Sequence, residues 1–229
     1  MSEVAAADEL DAAIEPIRAK LAAYRAAGKR MFATSSFQSH SLPLLHILSR
    51  LDNSIPVYFT NTGFLFPETL AFADSIAEEY GIRIIGLKPM VPKIHQLDRH
   101  GHLYFASDPD YCCFLNKVQP LEPVLMSHDV WINGIRGDQN DNRKAMREEE
   151  RAPHGALRYH PMLNWTARMI HAYSKRYRLR PHPLEAAGYL SIGCEPCTTK
   201  FLGDGNERNS RWFGMNKTEC GLHTELVQK

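Results

Sequence analysis

Leu10, Ile14, Ile17, Leu21 and Tyr24 recur at spacings of four, three, four and three residues, which is one face of an amphipathic helix. Pro16 bends that helix or marks its start, and Gly28 supplies a stop. RMFATSS (30–36) reads as a strand running into a polar turn, and LPLLHILSRL (42–51) as the helix that follows. IPVYFTNT (55–62) is a strand of the buried kind. FPETLAFADSIAEEYG (66–81) is a helix with Pro67 and Glu68 in its first turn and Gly81 after its last. IRIIGLK (82–88) and DVWINGI (129–135) are further strands, the second preceded by a helix that carries the adjacent Cys112 and Cys113.

This β-α-β-α-β order predicts an α/β fold, a mostly parallel sheet with helices on both faces. Ligands of such sheets sit beyond the carboxyl ends of the strands. The turns to search are therefore TSSFQSHS (34–41), TNTGFLFPE (60–68) and GIRGDQNDNR (134–143). After about residue 150 the pattern weakens, and REEERAPHGALRYHPML (147–163) reads as charged and irregular. Trp165, Met169 and Tyr173 share a face of a helix around 164–177. From 180 onward proline, glycine, histidine and cysteine dominate, as expected of a functional appendage on the same domain.

Bulk properties narrow the choice. A chain of 229 residues suits one α/β domain, and 44% hydrophobic residues suffice for a sizeable core. With 27 basic and 26 acidic residues the net charge is +1, which gives no global pull toward nucleic acid or membrane. No apolar run approaches the roughly 20 residues of a membrane span. MSEVAAADELDAAIEP lacks the basic start and apolar stretch of a secretory signal, so the expected location is cytoplasmic. In that compartment cysteines serve metals or catalysis more than structural disulfides.

There are five cysteines. Cys112 and Cys113 are adjacent, Cys194 and Cys197 form a C-x-x-C, and Cys220 stands nine residues from the C-terminus. Two pairs can supply four thiolates to one centre. A C-x-x-C turn converges two sulfurs, whereas an adjacent pair needs a bent backbone or a centre larger than one ion. An iron–sulfur cubane accepts that geometry, and a single zinc prefers pairs spaced by about two to four residues. A redox disulfide at Cys194 and Cys197, or inert buried thiols at Cys112 and Cys113, are the plainer readings. Cys220, in the polar NKTECGLH (216–223), is either an incidental surface thiol or a nucleophile whose pKa Lys217 and His223 lower.

NTGFLFPET, CCFLNKVQPL, GIRGDQNDNR, GYLSIGCEPCT, ERNSRW and KTECGLH follow one another in the order seen in assimilatory adenylyl-sulfate reductases. Over residues 30 to 223 the chain resembles that family. The resemblance implies an adenine-nucleotide α-hydrolase-like fold in one reductase domain over 1–229. Its parts would be an N-terminal helix (1–28), a nucleotide-binding core (29–178), and a cluster-ligand loop with a catalytic tail (179–229). It implies a [4Fe-4S] cluster on Cys112, Cys113, Cys194 and Cys197, and Cys220 as the nucleophile that takes sulfite from adenosine 5′-phosphosulfate. Thioredoxin or a similar dithiol donor would then release the sulfite. The same motifs offer Lys117, Arg136, Arg143, Arg208 and Arg211 for the phosphosulfate anion, since fixed positive charge must offset thiolate–anion repulsion. Lys117, one helical turn after Cys113, would face both cluster and substrate. Ser35, Ser36, Thr62 and Gly63 offer hydroxyls and backbone N–H groups to the nucleotide, with ordinary turn capping as the alternative.

The chain departs from the family pattern at Asn61, Asn116, Gly137 and Asn140–Asn142, where an aspartate, an arginine, a second arginine and Ser-Pro-Thr are usual. These changes bear on nucleotide choice and leave the thiols untouched. The rivals are a reductase of 3′-phosphoadenylyl sulfate, an ATP-dependent sulfur-insertion enzyme, and a zinc-stabilised binding module. His95, His100, His102, His171 and His182 show no ligand pairing and read as surface or packing residues. KRYRLR (175–180) reads as a solvated helix end. No nucleic-acid or membrane partner is expected, and the oligomeric state is open, a homo-oligomer included.

Overall fold

The computed structural model describes residues 3–201, 203, 210–212, 214, 215, 217, 219, 221–223 and 226. Six strands form one sheet: β1 (Met31–Thr34), β2 (Val57–Thr60), β3 (Ile84–Leu87), β4 (Val130–Asn133), β5 (Glu149–Arg151) and β6 (Leu157–Tyr159). Their order is β3-β2-β1-β4-β6-β5, and every neighbouring pair is parallel except β5 with β6. The chain runs outward from β1 through β2 to β3, then crosses to β4 on the other side of β1. The strand order therefore reverses between β1 and β4, the point at which open α/β sheets leave a crevice.

Both faces are covered, as the alternation of side chains along each strand requires. On β4, Val130 and Ile132 enter one core and Trp131 the other. The first core is closed by α1 (Glu3–Ala26), α2 (Leu42–Leu51), α3 (Pro67–Tyr80) and the late helix α8 (Ala167–Arg176), through residues such as Ile17, Leu45, Ile76 and Tyr173. The second is closed by α6 (Gln119–Ser127), whose Leu121 and Leu125 meet Phe32 and Trp131, together with Leu226 of the tail. Between α3 and α6 lie two short helices, α4 (Tyr104–Ser107) and α5 (Pro109–Cys113), and a π-helical turn, Phe114–Val118, joins α5 to α6. A one-turn helix, α7 (Asp141–Lys144), follows β4.

The start and stop signals predicted for α3 act as expected. Pro67 opens α3, and Gly81, at φ 60°, donates its N–H to the Ala77 and Glu78 carbonyls to close it. Pro16 neither starts nor breaks α1; it lies inside the helix on its exposed side. The stretch 147–163, read as irregular, holds β5 and β6. Both have only three residues, too few for alternation to register. β6 also carries Arg158 fully buried, its guanidinium 4.5 Å from the Trp131 ring centroid.

Candidate active site

The cleft at the switch point is lined by the ends of four strands: Thr34 with Ser35 and Ser36, Thr60, Leu87, and Asn133 with Gly134. The turn after β1 is held by its own side chains. Ser35 Oγ accepts from the Phe37 N–H (3.1 Å), and Gln38 Nε2 donates to Ser36 Oγ (3.0 Å). Gln38 Oε1 accepts from the Ile192 N–H at 3.0 Å, which ties this turn to the segment before the C-x-x-C. Phe37, fully buried, is held in the left-handed region at φ 55°, a strain that packing against Phe59 maintains.

Beside the cleft, Cys112, Cys113, Cys194 and Cys197 line a second, apolar pocket with Phe64 and Phe105. No disulfide joins any of the four. Consecutive positions on an α-helix diverge by only about 100°, so Cys112 and Cys113 both stay buried on this pocket from the end of α5. The other pair belongs to a tight turn in which the Cys197 N–H donates to the Cys194 carbonyl (3.0 Å). Thr198 Oγ1 donates to the same carbonyl at 2.8 Å. The Glu195 N–H donates to the Phe64 carbonyl at 2.7 Å, docking this turn on the loop after β2. Burial foremost, and then the neighbouring thiols, push Cys112 up to about 12, against the opposing pull of Lys117. Burial and Cys194 push Cys197 up to about 11. Four sulfurs crowded into one pocket are a donor set suited to a cation. Among the described residues, however, no three His, Cys, Asp or Glu side chains are grouped as a single ion requires.

The predicted basic residues take different places. Lys117, 9% exposed, lines both the cleft and the thiol pocket, and Cys194 does the same. Arg211 lines the cleft and clamps the C-x-x-C turn, donating from Nη1 to the Ile192 carbonyl and from Nε to the Cys197 carbonyl, both at 3.2 Å. Arg143 also lines the cleft, and all three of its nitrogens are engaged. Nε and Nη2 donate to Glu219 at 2.9 and 3.0 Å, and Nη1 donates to Gln139 Oε1. Arg136 lies outside the cleft lining and donates from Nε to Asp138 at 2.9 Å. Arg208 and Cys220 lie outside the described residues.

Ser35 and Ser36 face the cleft, whereas Thr62 and Gly63 do not line it. The Thr62 hydroxyl accepts from the Phe64 N–H and stands 3.3 Å from Cys194 Sγ, on the thiol pocket. Gly63 takes the turn at φ 75°, and its carbonyl accepts from Lys93 Nζ at 3.4 Å. Lys217, expected beside the terminal thiol, is paired with Asp110 at the start of α5. His95, His100, His102 and His171 are exposed and His182 is a packing residue, donating from Nε2 to Thr69 Oγ1 (3.0 Å) while its Nδ1 accepts from the Leu184 N–H.

Three residues carry polar structure that the sequence did not reveal. Glu219, 3% exposed, fills the fork of Arg143. Asn116 sits on the sulfur of Cys112, and His160 donates from Nδ1 to Asn133 Oδ1 at 2.6 Å under the cleft. Burial, reinforced by Arg158 and Arg143, holds His160 down at about 3 despite Glu150 at 3.7 Å from Nε2. An acidic residue before a cysteine, an asparagine after a helical pair and a lone histidine carry no periodic signal.

Fold and site together define an α/β protein of the nucleotide-binding kind with a thiol centre beside its cleft. Residues 30–200 match the phosphoadenosine phosphosulfate reductase domain, and the chain belongs to that family. It is 34% identical over 205 residues to the adenosine 5′-phosphosulfate reductase 1 of Bacillus subtilis (strain 168), covering 88% of this chain and 87% of the relative. It is 37% identical over 192 residues to the adenosine 5′-phosphosulfate reductase of Mesorhizobium japonicum, covering 83% and 75%. Among solved structures, the phosphoadenylyl-sulfate reductase of Candida auris superposes with a TM-score of 0.67 at 21% identity, over 84% of this chain and 97% of that one. The Candida glabrata FMN adenylyltransferase shares the fold at a TM-score of 0.62 and 13% identity, over 97% and 75%.

Proposed function

We propose that this chain reduces adenosine 5′-phosphosulfate to sulfite and AMP at the expense of a dithiol protein of the thioredoxin kind. The observation that carries the reading is the shared wall. Lys117 and Cys194 line both the nucleotide-type cleft and the thiol pocket, and Glu219 and Leu222, on either side of the Cys220 segment, line that same cleft. The curated relatives named above point to the same substrate.

In this reading the Cys220 thiolate attacks the sulfate sulfur. An S–S bond forms, the S–O bond to the phosphate breaks, and AMP leaves with that electron pair on its phosphate oxygen. One donor thiolate then attacks Cys220 Sγ, and sulfite departs with the electron pair of the S–S bond. The second donor thiol resolves the mixed disulfide, so both electrons come from the dithiol. Ser35 and Ser36 hold the nucleotide. Lys117 and Arg211 meet the anion from the thiol side, and Arg136 and Arg208 belong to the same basic set.

Cys112, Cys113, Cys194 and Cys197 would hold a [4Fe-4S] cluster, since four thiols lining one apolar pocket are the donor set such a centre takes. When bound, the cluster supplies folding free energy and fixed charge beside the cleft. The four described thiols carry no disulfide, which suits a cytoplasmic setting. A preference for the 3′-phosphorylated nucleotide is the second reading, favoured by the description of the matched family.

Mass spectrometry after mixing with nucleotide and no dithiol tests the reading. A sulfonate adduct on Cys220 is expected, and an adduct elsewhere or none at all overturns it. Comparing adduct formation from the two nucleotides separates the two readings.

A further inference from the structure

Asn116 and Gln96 form a buried amide pair behind the thiol pocket, with 1% and 0% of their surfaces exposed. Gln96 Nε2 donates to Asn116 Oδ1 (2.9 Å), and Asn116 Nδ2 donates to Gln96 Oε1 (2.6 Å). The polarity of this ring is fixed from outside. Gln96 Nε2 also donates to the Val91 carbonyl at 2.8 Å, and a carbonyl only accepts. Nε2 must therefore face Val91, Asn116 must turn Oδ1 toward it, and Asn116 Nδ2 is left facing Cys112. Of its two hydrogens one goes to Gln96 Oε1 and the other to the Cys112 carbonyl at 2.8 Å; Cys112 Sγ, 3.6 Å from Nδ2 and within reach for the larger sulfur atom, shares that second hydrogen as the longer branch of a bifurcated bond.

The backbone explains why this amide is placed here. Asn116 lies inside the π-helical turn that follows the cysteine pair. A π turn bonds i to i+5 and disturbs the regular i to i+4 ladder. The side-chain amide of residue i+4 then supplies a donor to the Cys112 carbonyl.

We infer that Asn116 is a positioning residue for Cys112, oriented by Gln96, and that its N–H is a neutral donor of fixed polarity to the Cys112 sulfur. Such a donor favours the metal-bound thiolate over the thiol and tunes a metal centre through its ligand. It adds no charge to the four sulfurs. This deepens the cluster reading above and rests on it for the identity of the metal.

The wild-type protein is first assayed for iron and acid-labile sulfide. Asn116→Leu, close in shape and without a donor, and Gln96→Leu, which removes the orienting amide, are then compared with it. Metal loss to a chelator is expected to be about ten-fold faster in Asn116→Leu, with a smaller change of the same sign in Gln96→Leu. The metal–sulfur stretching bands of the wild type should shift on transfer to D2O, and those of Asn116→Leu should not; a role in packing alone would leave that isotope shift in place. Loss rates within two-fold of wild type together with an unchanged isotope shift overturn the inference. If Asn116→Leu does not fold, Gln96→Leu decides by the same readouts. If the wild type holds a metal other than iron, the cluster reading fails and the same chelator comparison tests this inference on that metal; a wild type that holds no metal overturns both.

Discussion

The Arg143 guanidinium and the Glu219 carboxylate form a bidentate pair in the lining of the cleft, with 8% and 1% of their side chains exposed. Asn140 Nδ2 donates to the same carboxylate at 2.9 Å, so the pair is satisfied on both sides. Breaking a buried pair from one side leaves an uncompensated charge, at a cost of about 3–5 kcal/mol. Glu219→Ala and Arg143→Ala should each lower the urea midpoint, and Arg143→Leu with Glu219→Leu should recover most of the loss. Equal loss in the double variant and the single ones would show that the pair is not isolated in this way.

Gly193 lies under Arg211. A Cβ there would come within 2.1 Å of Nη2 and 2.4 Å of Cζ. The atoms in the way belong to the far end of a long side chain, so Gly193→Ala should expel the guanidinium and leave the backbone in place. The variant should then match Arg211→Ala in nucleotide affinity. Adding Gly193→Ala to Arg211→Ala should cost nothing further, because the two act on one contact. Additive losses in an equilibrium nucleotide titration would refute the clash as the cause.

The parts of the fold legible beforehand were those with long periodic runs. The α2 and α3 segments and β1 to β4 announced themselves through apolar spacing, Pro67 and Gly81. β5 and β6 did not, because three-residue strands offer no period and Arg158 sits where an apolar residue is expected. At the site, the cysteine spacing was legible, since thiols are rare and their clustering carries information by itself. The partners of those groups were not. Thr62, which its turn offers to the nucleotide, lies on Cys194, and nothing local in the sequence marks Glu219 as the partner of Arg143. Which hydrogen bond a threonine or a glutamate makes is decided by packing between distant segments, and no local pattern encodes it.

His160 makes stability depend on acid. It is fully buried and held down at about 3, against an unfolded value of 6.5. Between those values the unfolded chain binds the extra proton and the folded one does not. Stability from this residue is thus complete above pH 6.5 and is lost as pH falls toward 3, at a slope approaching about 1.4 kcal/mol per unit. His160→Gln removes that titration. The difference in unfolding free energy between wild type and variant should therefore shift in the variant's favour as pH falls from 6.5 to 4. A difference independent of pH would mean that the imidazole keeps an ordinary affinity for protons in the fold.

Lys117 is the cation between the two pockets, and its removal should separate chemistry from assembly. Its position one turn beyond Cys113 places it on the cleft wall as well as on the thiol pocket. In the proposed reaction, negative charge builds on the departing phosphate while a thiolate approaches, so a fixed cation acts most strongly in the transition state. Lys117→Met keeps the length and apolar stem of the side chain and deletes the charge. Formation of the Cys220 adduct should slow by about 10²–10³-fold, the loss typical of one preorganised donor. AMP, which lacks the sulfate, should bind with little change. The four thiols lose an attractive neighbour but no ligand, so metal content should stay near wild type. Stopped-flow adduct formation, AMP titration and metal analysis on the one variant check all three. A variant that loses AMP affinity as steeply as rate would make Lys117 a ground-state binding residue, and one that loses its metal would make it part of the thiol centre's support.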